Sequence, residues 1–259
     1  MGMDNQAIKN FVLSLNPHNL ILFLAINLLL CLTWIFLCLR LDREAPEPPK
    51  HLITIFFWGG LMVFPALFIA GPISSFINGF GWLKFGVKIV ILSFLIDGLI
   101  EEFTKYSILS DKVYRKSFFD EPRDGLIYGM IIGIGFSFLE SFFYSLTLVG
   151  VPHALLVMVL RGAITTFMHL LAGGIIGYHF GLAKFTQFHH LGPVSENYRR
   201  TIIMRGLLLA IIFHGLYNLV IRFNFAWLMF PLAILLIGVY ISIILGLKRT
   251  QTLFKRHTL

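Results

Sequence analysis

The sequence predicts an all-α fold, a polytopic bundle of about seven transmembrane helices that forms a single integral-membrane domain over 1–259. Hydrophobic residues make up 57% of the chain and charged residues only 13%, whereas a soluble domain carries about 25% charged residues. Apolar runs recur along the chain, each at or above the roughly 20 residues that cross a bilayer. Basic residues collect in every second connection between these runs, as they do in membrane proteins.

The predicted spans follow one another with short connections. They cover about 19–40, 51–72, 85–109, 124–149, 152–183, 201–222 and 225–247. At ~1.5 Å per residue the fifth run exceeds the ~30 Å hydrocarbon core, so it either tilts or begins with a separate interfacial turn at 153–160. Cys31 and Cys38 stand seven apart in the first run. They are expected to be small apolar fillers and not a disulfide or a metal site.

The distribution of basic residues predicts the orientation. One side of the membrane receives Arg43, Lys50, Lys112, Arg115, Lys116, Arg123, Lys184, Arg199, Arg200, Lys248, Arg249, Lys255 and Arg256, and the other only Lys9, Lys84, Lys88 and Arg222. The positive-inside rule therefore places the N-terminus outside and the C-terminus in the cytoplasm. The same asymmetry accounts for the net charge of +8. The lipid bilayer is a predicted partner, and no nucleic-acid partner is predicted.

Charged residues interrupt the third run at "LSFLIDGLIEEFTKYSIL", residues 92–109. A charge in the bilayer costs at least ~2.5–3.5 kcal/mol, so an intramembrane ionisable residue is a functional candidate. Asp97, Glu101 and Lys105 recur every four residues on one helix face, and Glu102 points about a quarter turn away. The excess of carboxylates requires protons, a metal or cations from other helices. The alternative is a salt-bridged helix end near the interface.

The fourth to sixth runs add further polar residues. Glu140 lies beside a stripe of small residues that would let helices approach closely, namely Gly125, Gly129, Gly133, Ser137 and Ser141. His169 is in the middle of the fifth run, where Arg161 either extends to the outer interface or pairs with Glu140. His214 and Asn218 share one face of the sixth run. Each could be a buried structural residue, but their confinement to four runs predicts one shared site.

The predicted set suits hydrolysis. A carboxylate can take a proton from water, and an imidazole with an amide can stabilise an oxyanion. Neither a G-x-S-x-G nor an H-E-x-x-H motif occurs, which argues against a serine elbow and excludes a standard zincin site. Glu140, His169 and His214 would make a zinc set with an open position. A cation-coupled transporter and a non-catalytic scaffold are the competing classes, although no internal repeat supports a transporter.

Four motifs in order resemble the PrsW family of intramembrane proteases. "EEFTK" at 101–105 resembles its E-E-x-x-K motif, and "DGLIYGMIIGIGFSFLESFFY" at 124–144 resembles its second block, with F-x-x-x-E ending at Glu140. "HLLAGG" fits H-x-x-x-x-G at His169, and "HGLYN" resembles the last motif, with His214 and Asn218. The resemblance covers about 97–220. Ser141 departs from it, since many members have Asn there.

This resemblance implies an intramembrane endopeptidase of a bacterial plasma membrane. Its substrate would be a membrane-anchored protein such as an anti-sigma factor, and its catalytic core would lie at about 85–222. The family is similar to the type II CAAX prenyl endopeptidases, but Glu replaces His in the second motif and Lys replaces Arg in the first. These departures argue against prenylated substrates.

The wider resemblance implies residue roles. Glu101 would activate water, Glu102 would hold the geometry with Lys105, and His214 with Asn218 would form the oxyanion hole. Glu140 would share a proton with Glu101 or orient His169, while Asp97 and Arg161 would support the site. No cofactor is required on this interpretation. Zinc bound by Glu140, His169 and His214 is the alternative.

One geometric condition follows from the predicted spans. Counted at ~1.5 Å per residue, Glu101 lies ~12 Å from the cytoplasmic end of its span, whereas Glu140, His169 and His214 lie ~21–24 Å deep. Convergence therefore predicts that the third helix continues past Leu109 into the cytoplasm, towards Lys116.

Overall fold

The computed structural model describes residues 16–40, 46–148, 151–186, 195–224 and 226–258. These residues contain seven long helices and no strand, which confirms the predicted all-α bundle. The helices are α1 (Pro17–Leu39), α2 (Pro49–Gly79), α3 (85–113), α4 (Pro122–Leu146), α5 (151–184), α6 (Glu196–Arg222) and α7 (Met229–Thr258).

All of these helices except α3 are long and apolar enough to cross a membrane by length and composition. The charged residues of 97–105 make α3 the exception. Large apolar side chains lie on the outside of the bundle, such as Phe68 at 82% exposed, as lipid-facing residues do. The long fifth run is one helix, so residues 153–160 belong to α5 and form no separate turn. The orientation of the termini stays a prediction.

Local sequence signals set several helix starts. Asn16 caps α1 by accepting from the backbone N–H of His18, and Ser195 caps α6 by accepting from that of Tyr198. α4 begins at Pro122 with a capping box formed by Glu121 and Asp124. A proline in the first turn and side-chain acceptors for the free N–H groups are the usual signals of a helix start.

α4 is the central helix, and its glycines let neighbouring backbones approach it. A Cβ added at Gly129 would collide with the carbonyl oxygen of Gly173 on α5, and one at Gly133 with that of His169. On its α2 side, Gly135 lies equally close to the carbonyl of Phe56. The predicted small-residue stripe is thus a helix–helix contact. It brings the backbone of His169 directly against α4.

α3 is irregular on both sides of its "EEFTK" segment, residues 101–105. Leu92–Ile100 and Leu109–Val113 are π-helical, and Glu101–Ile108 between them is α-helical. α5 has a third π-helical stretch at Arg161–Thr165. Such turns are rare and occur frequently at functional sites. α3 continues past Leu109 as predicted, but it ends at Val113 and does not reach Lys116.

Candidate active site

Four helices bring their polar side chains together inside the bundle. We call this group the carboxylate–histidine cluster, and it consists of Glu101, Glu102, Lys105, Glu140, His169 and His214. The side chains of Glu102 and Lys105 are 0% exposed, and those of His169 and His214 are 1% exposed. Glu101 and Glu140 are partly buried. Residues from α3, α4, α5 and α6 therefore meet at one place, as their confinement to four predicted spans suggested.

Lys105 connects α3 to α5. Its Nζ donates to Oε1 of Glu102 over 2.6 Å and lies 2.7 Å from Nδ1 of His169. The ammonium also lies 4.7 Å from the centre of the Phe136 ring, a cation–π distance. Because an ammonium group only donates, Nδ1 of His169 accepts and carries no proton.

Glu102 orients His214. Its Oε1 lies 2.6 Å from Nδ1 of His214, whose Nε2 lies 3.9 Å from Oε2 of Glu101. The carboxylate accepts, so Nδ1 carries the proton, and a neutral imidazole then has its lone pair on Nε2. The ring therefore presents a free lone pair to Glu101.

Glu140 holds His169 from the other side. Its Oε2 lies 2.9 Å from Nε2 of His169 and 2.7 Å from Nη2 of Arg161. Arg161 also donates from Nε to the Ser141 hydroxyl over 3.2 Å and stacks on the Tyr144 ring. Arg161 thus pairs with Glu140, one of the two roles that the sequence allowed. Both nitrogens of His169 are engaged by hydrogen bonds.

The cluster has an excess of one negative charge. Three carboxylates face two cations, Lys105 and Arg161, if both imidazoles are neutral. Oε2 of Glu101 is buried and accepts no hydrogen bond from any residue that the structure describes. An unpaired buried charge is costly, so this oxygen requires a proton or a cation.

One group in the described part of the chain has the spacing of metal ligands. Ligand atoms of Glu101, His169 and His214 all lie within 4.8 Å of one another. This group contains Glu101 where the sequence suggested Glu140, which forms an ion pair with Arg161 instead. Two imidazoles and one carboxylate match a catalytic zinc set, which leaves a position for water. The unsatisfied Glu101 oxygen and the free Nε2 of His214 both fit that use.

Two of the predicted site residues lie apart from these contacts. Asp97 forms a forked ion pair with Arg222 at the end of α6, at 3.0 Å from Oδ1 and 2.9 Å from Oδ2 to Nη2. Asn218 is partly buried one turn beyond His214, and its side chain makes no hydrogen bond with a described residue. The role of Arg222 was not predicted from the sequence, although Arg222 lies on the face of His214 and Asn218, eight and four residues further along the helix.

Comparisons with known proteins agree on one family. A family model described as "PrsW family intramembrane metalloprotease" matches residues 47–246. The Protease PrsW of Oceanobacillus iheyensis is 30% identical over 213 residues, which cover 82% of this chain and 88% of that protein. The Protease PrsW of Bacillus subtilis is 29% identical over 191 residues, 74% of this chain and 78% of that protein. No solved structure matches. These bacterial relatives and the apolar helices identify an integral protein of a bacterial membrane.

Proposed function

The chain belongs to the PrsW family of intramembrane proteases, and we propose that the carboxylate–histidine cluster is the site at which it hydrolyses peptide bonds. One observation supports this assignment above the others. Nε2 of His214, which carries the free lone pair, lies 3.9 Å from a buried, unsatisfied oxygen of Glu101, and a ring nitrogen of His169 lies within 4.8 Å of both residues' ligand atoms. We place the catalytic core at about 85–222, the part of the chain that supplies every residue of the cluster.

We propose that the site holds a divalent metal ion on Glu101, His169 and His214. The donor set, the negative charge excess and the family's description as a metalloprotease support a metal. Bound there, zinc would polarise the scissile carbonyl and lower the pKa of water to about 7.

The remaining cluster residues would position these three. Glu102 fixes the tautomer and the ring orientation of His214 by accepting from Nδ1, and a carboxylate behind a metal-binding histidine is the usual arrangement. Lys105 neutralises Glu102 and donates to His169. Glu140, itself held by Arg161, accepts from the far nitrogen of His169. One of the two hydrogen bonds of His169 has to open when that ring binds a metal.

Of the two residues predicted to form the oxyanion hole, Asn218 is better suited to that role than His214. With its proton on Nδ1, a neutral His214 has no Nε2–H to donate, so it would have to be doubly protonated to stabilise an oxyanion. Asn218 follows one turn later and carries an amide that can donate in any state. We therefore assign oxyanion stabilisation to Asn218.

A metal-free mechanism is the alternative, and the same unsatisfied oxygen of Glu101 favours it. In this version Glu101 takes a proton from water directly, and Glu102 with Lys105 still fixes His214. The two mechanisms differ in whether purified, active protein contains a metal. They agree that loss of the Glu101 carboxylate abolishes hydrolysis.

An intramembrane protease acts on a protein substrate within a lipid bilayer. We propose that this substrate is a membrane-anchored protein, such as an anti-sigma factor. The position of the cluster supports this, because it lies within the helical bundle and would be reached by a chain that is itself in the membrane. A non-catalytic scaffold would not need an unsatisfied carboxylate at its centre.

The test compares protein termini in membranes that carry the wild type, Glu101→Gln or Glu196→Gln, together with metal analysis of each purified protein. Glu196 is an exposed glutamate on α6 and serves as the matched control. New termini are expected with the wild type and the control only, and about one metal ion per chain is expected in both. Glu140→Gln should weaken metal retention about 10–100-fold without abolishing it if Glu101 is the carboxylate ligand, because Glu140 only orients His169.

Each contrary outcome has a separate meaning. Active wild type without metal would replace the metal mechanism by the glutamate mechanism. Identical termini with the wild type and Glu101→Gln would refute the assignment of the active site. Loss of metal in Glu140→Gln but not in Glu101→Gln would restore Glu140 as the carboxylate ligand.

A further inference from the structure

A second feature of the bundle lies outside the carboxylate–histidine cluster. A cavity of about 740 Å³ separates α5, α6 and α7. Its walls are apolar except for Tyr178, His179 and Ser242. Leu209 and Ile234 line it while being 51% and 57% exposed, so the cavity opens sideways to the surroundings of the bundle. No residue of the cluster lines it.

Two of the polar groups in the wall are turned back to their own helices. The Ser242 hydroxyl donates to the carbonyl of Gly238 over 2.8 Å, and Nδ1 of His179 lies 2.8 Å from the carbonyl oxygen of Ile175. Gly238 faces open space, because a Cβ added there would meet nothing within 4 Å. The interior of the cavity therefore suits an apolar occupant.

Cations lie at one end of this cavity, which is the end where basic residues collect. Arg205 precedes Leu209 by one turn on the face of α6 that lines the cavity, and Gly206 beside it lies against His179. On α7, Arg249 follows Ser242 by seven residues, two helical turns on the same face. Both arginines are exposed, and neither forms an ion pair with a residue that the structure describes.

We propose that this cavity binds one anionic phospholipid, with an acyl chain in the cavity and the phosphate at Arg205 and Arg249. An apolar recess between helices with a cation on each of two helices towards one end matches the two parts of such a lipid. A substrate helix fits less well, because the positive-inside rule would give it basic residues at this same end. A second copy of the chain would bring its own basic end to these arginines.

The test uses the full chain purified in detergent, with bound lipid counted by native mass spectrometry. Phosphatidylglycerol and phosphatidylcholine with the same acyl chains are the probes. We expect phosphatidylglycerol to bind more tightly, and Arg205→Gln to weaken it about fivefold, since a surface cation contributes ~1 kcal/mol to binding of an anionic lipid. Arg200→Gln, a cation on another face of α6 paired with Glu196, is the matched control.

A second pair of variants tests the cavity itself. Gly238→Leu fills it and should remove the bound phosphatidylglycerol, whereas Gly79→Leu adds the same side chain at another open position and should not. Equal binding of the two lipids would overturn the proposal. So would unchanged binding of phosphatidylglycerol in Arg205→Gln, or in Gly238→Leu. A dimer that disappears in Gly238→Leu would identify a second copy as the occupant. Loss of substrate cleavage in Gly238→Leu, with its phosphatidylglycerol binding unchanged, would identify a substrate helix as the occupant.

Discussion

Replacing Glu102 by glutamine tests whether the buried ion pair organises the cluster. The substitution keeps the shape of the side chain and removes its charge. Oε1 of Glu102 accepts from Lys105 and from His214, each over 2.6 Å, and both Glu102 and Lys105 are fully buried. The amide still accepts one hydrogen bond, but the Lys105 ammonium loses its countercharge.

The expected cost follows from these contacts. A hydrogen bond to a charged group contributes ~1.5–3 kcal/mol, so two contribute roughly 3–6 kcal/mol. The amide keeps about 1 kcal/mol of this as a neutral hydrogen bond. The remainder agrees with the ~3–5 kcal/mol that follows when one partner of a buried pair is removed. We therefore expect Glu102→Gln to lower the free energy of unfolding by about 3–5 kcal/mol.

The assay is reversible unfolding in mixed detergent micelles. The double variant Glu102→Gln/Lys105→Met removes both charges and should recover more than half of the loss, because no uncompensated charge remains. Glu196→Gln breaks an exposed pair on α6 and should cost less than about 1 kcal/mol. A loss below about 1 kcal/mol in Glu102→Gln, or a double variant as unstable as the two single variants added, would refute the reasoning.

Three further outcomes are expected. Burial raises the pKa of Glu47, which lies before α2 and outside the spans, so the folded state binds its proton more tightly than the unfolded state does. The free energy of unfolding should therefore fall as the pH rises from the ordinary pKa of a glutamate through the raised pKa of Glu47. Glu47→Gln should flatten that slope in a pH series. Arg161→Gln should weaken metal retention about 10–100-fold by freeing Glu140 from its guanidinium, and Arg161→Lys should recover part of it; equal metal content would contradict this role. Gly129→Leu should destabilise the protein by about 1–3 kcal/mol or more because the side chain meets the α5 backbone, whereas Gly79→Leu should not, as measured by thermal unfolding.

Hydrophobic periodicity and small-residue spacing correctly predicted the helical bundle and the close approach of another helix to α4. The Gly129 stripe faces α5 because the period of an α-helix fixes which residues share a side, and no tertiary information is required for that. The confinement of ionisable residues to four spans likewise predicted that Glu101, His169 and His214 would converge. The burial cost of each charge makes isolated positions for them unfavourable.

The details that could not be predicted depend on local departures from ideal helices. Asp97 was placed with Glu101 by assuming an α-helical period, but the turns of Leu92–Ile100 are π-helical and Asp97 pairs with Arg222. The predicted zinc set contained Glu140, whereas the group with metal-ligand spacing contains Glu101. This difference has another cause. Both carboxylates lie near His169, and which of them pairs with Arg161 depends on helix tilt and rotamers, which residue spacing does not encode.

The buried charges of α3 also constrain the order in which the chain enters the membrane. Lys105 finds His169 only 64 residues later in the sequence, and Glu102 finds His214 only 112 residues later. At ~5–20 residues per second, the ribosome needs about 6–20 s to supply that second partner. During this interval α3 has only the Lys105–Glu102 pair within itself to offset charges that each cost ~2.5–3.5 kcal/mol in lipid. We therefore expect α3, the third of the described helices in chain order, to settle in the bilayer only after α6 has been made.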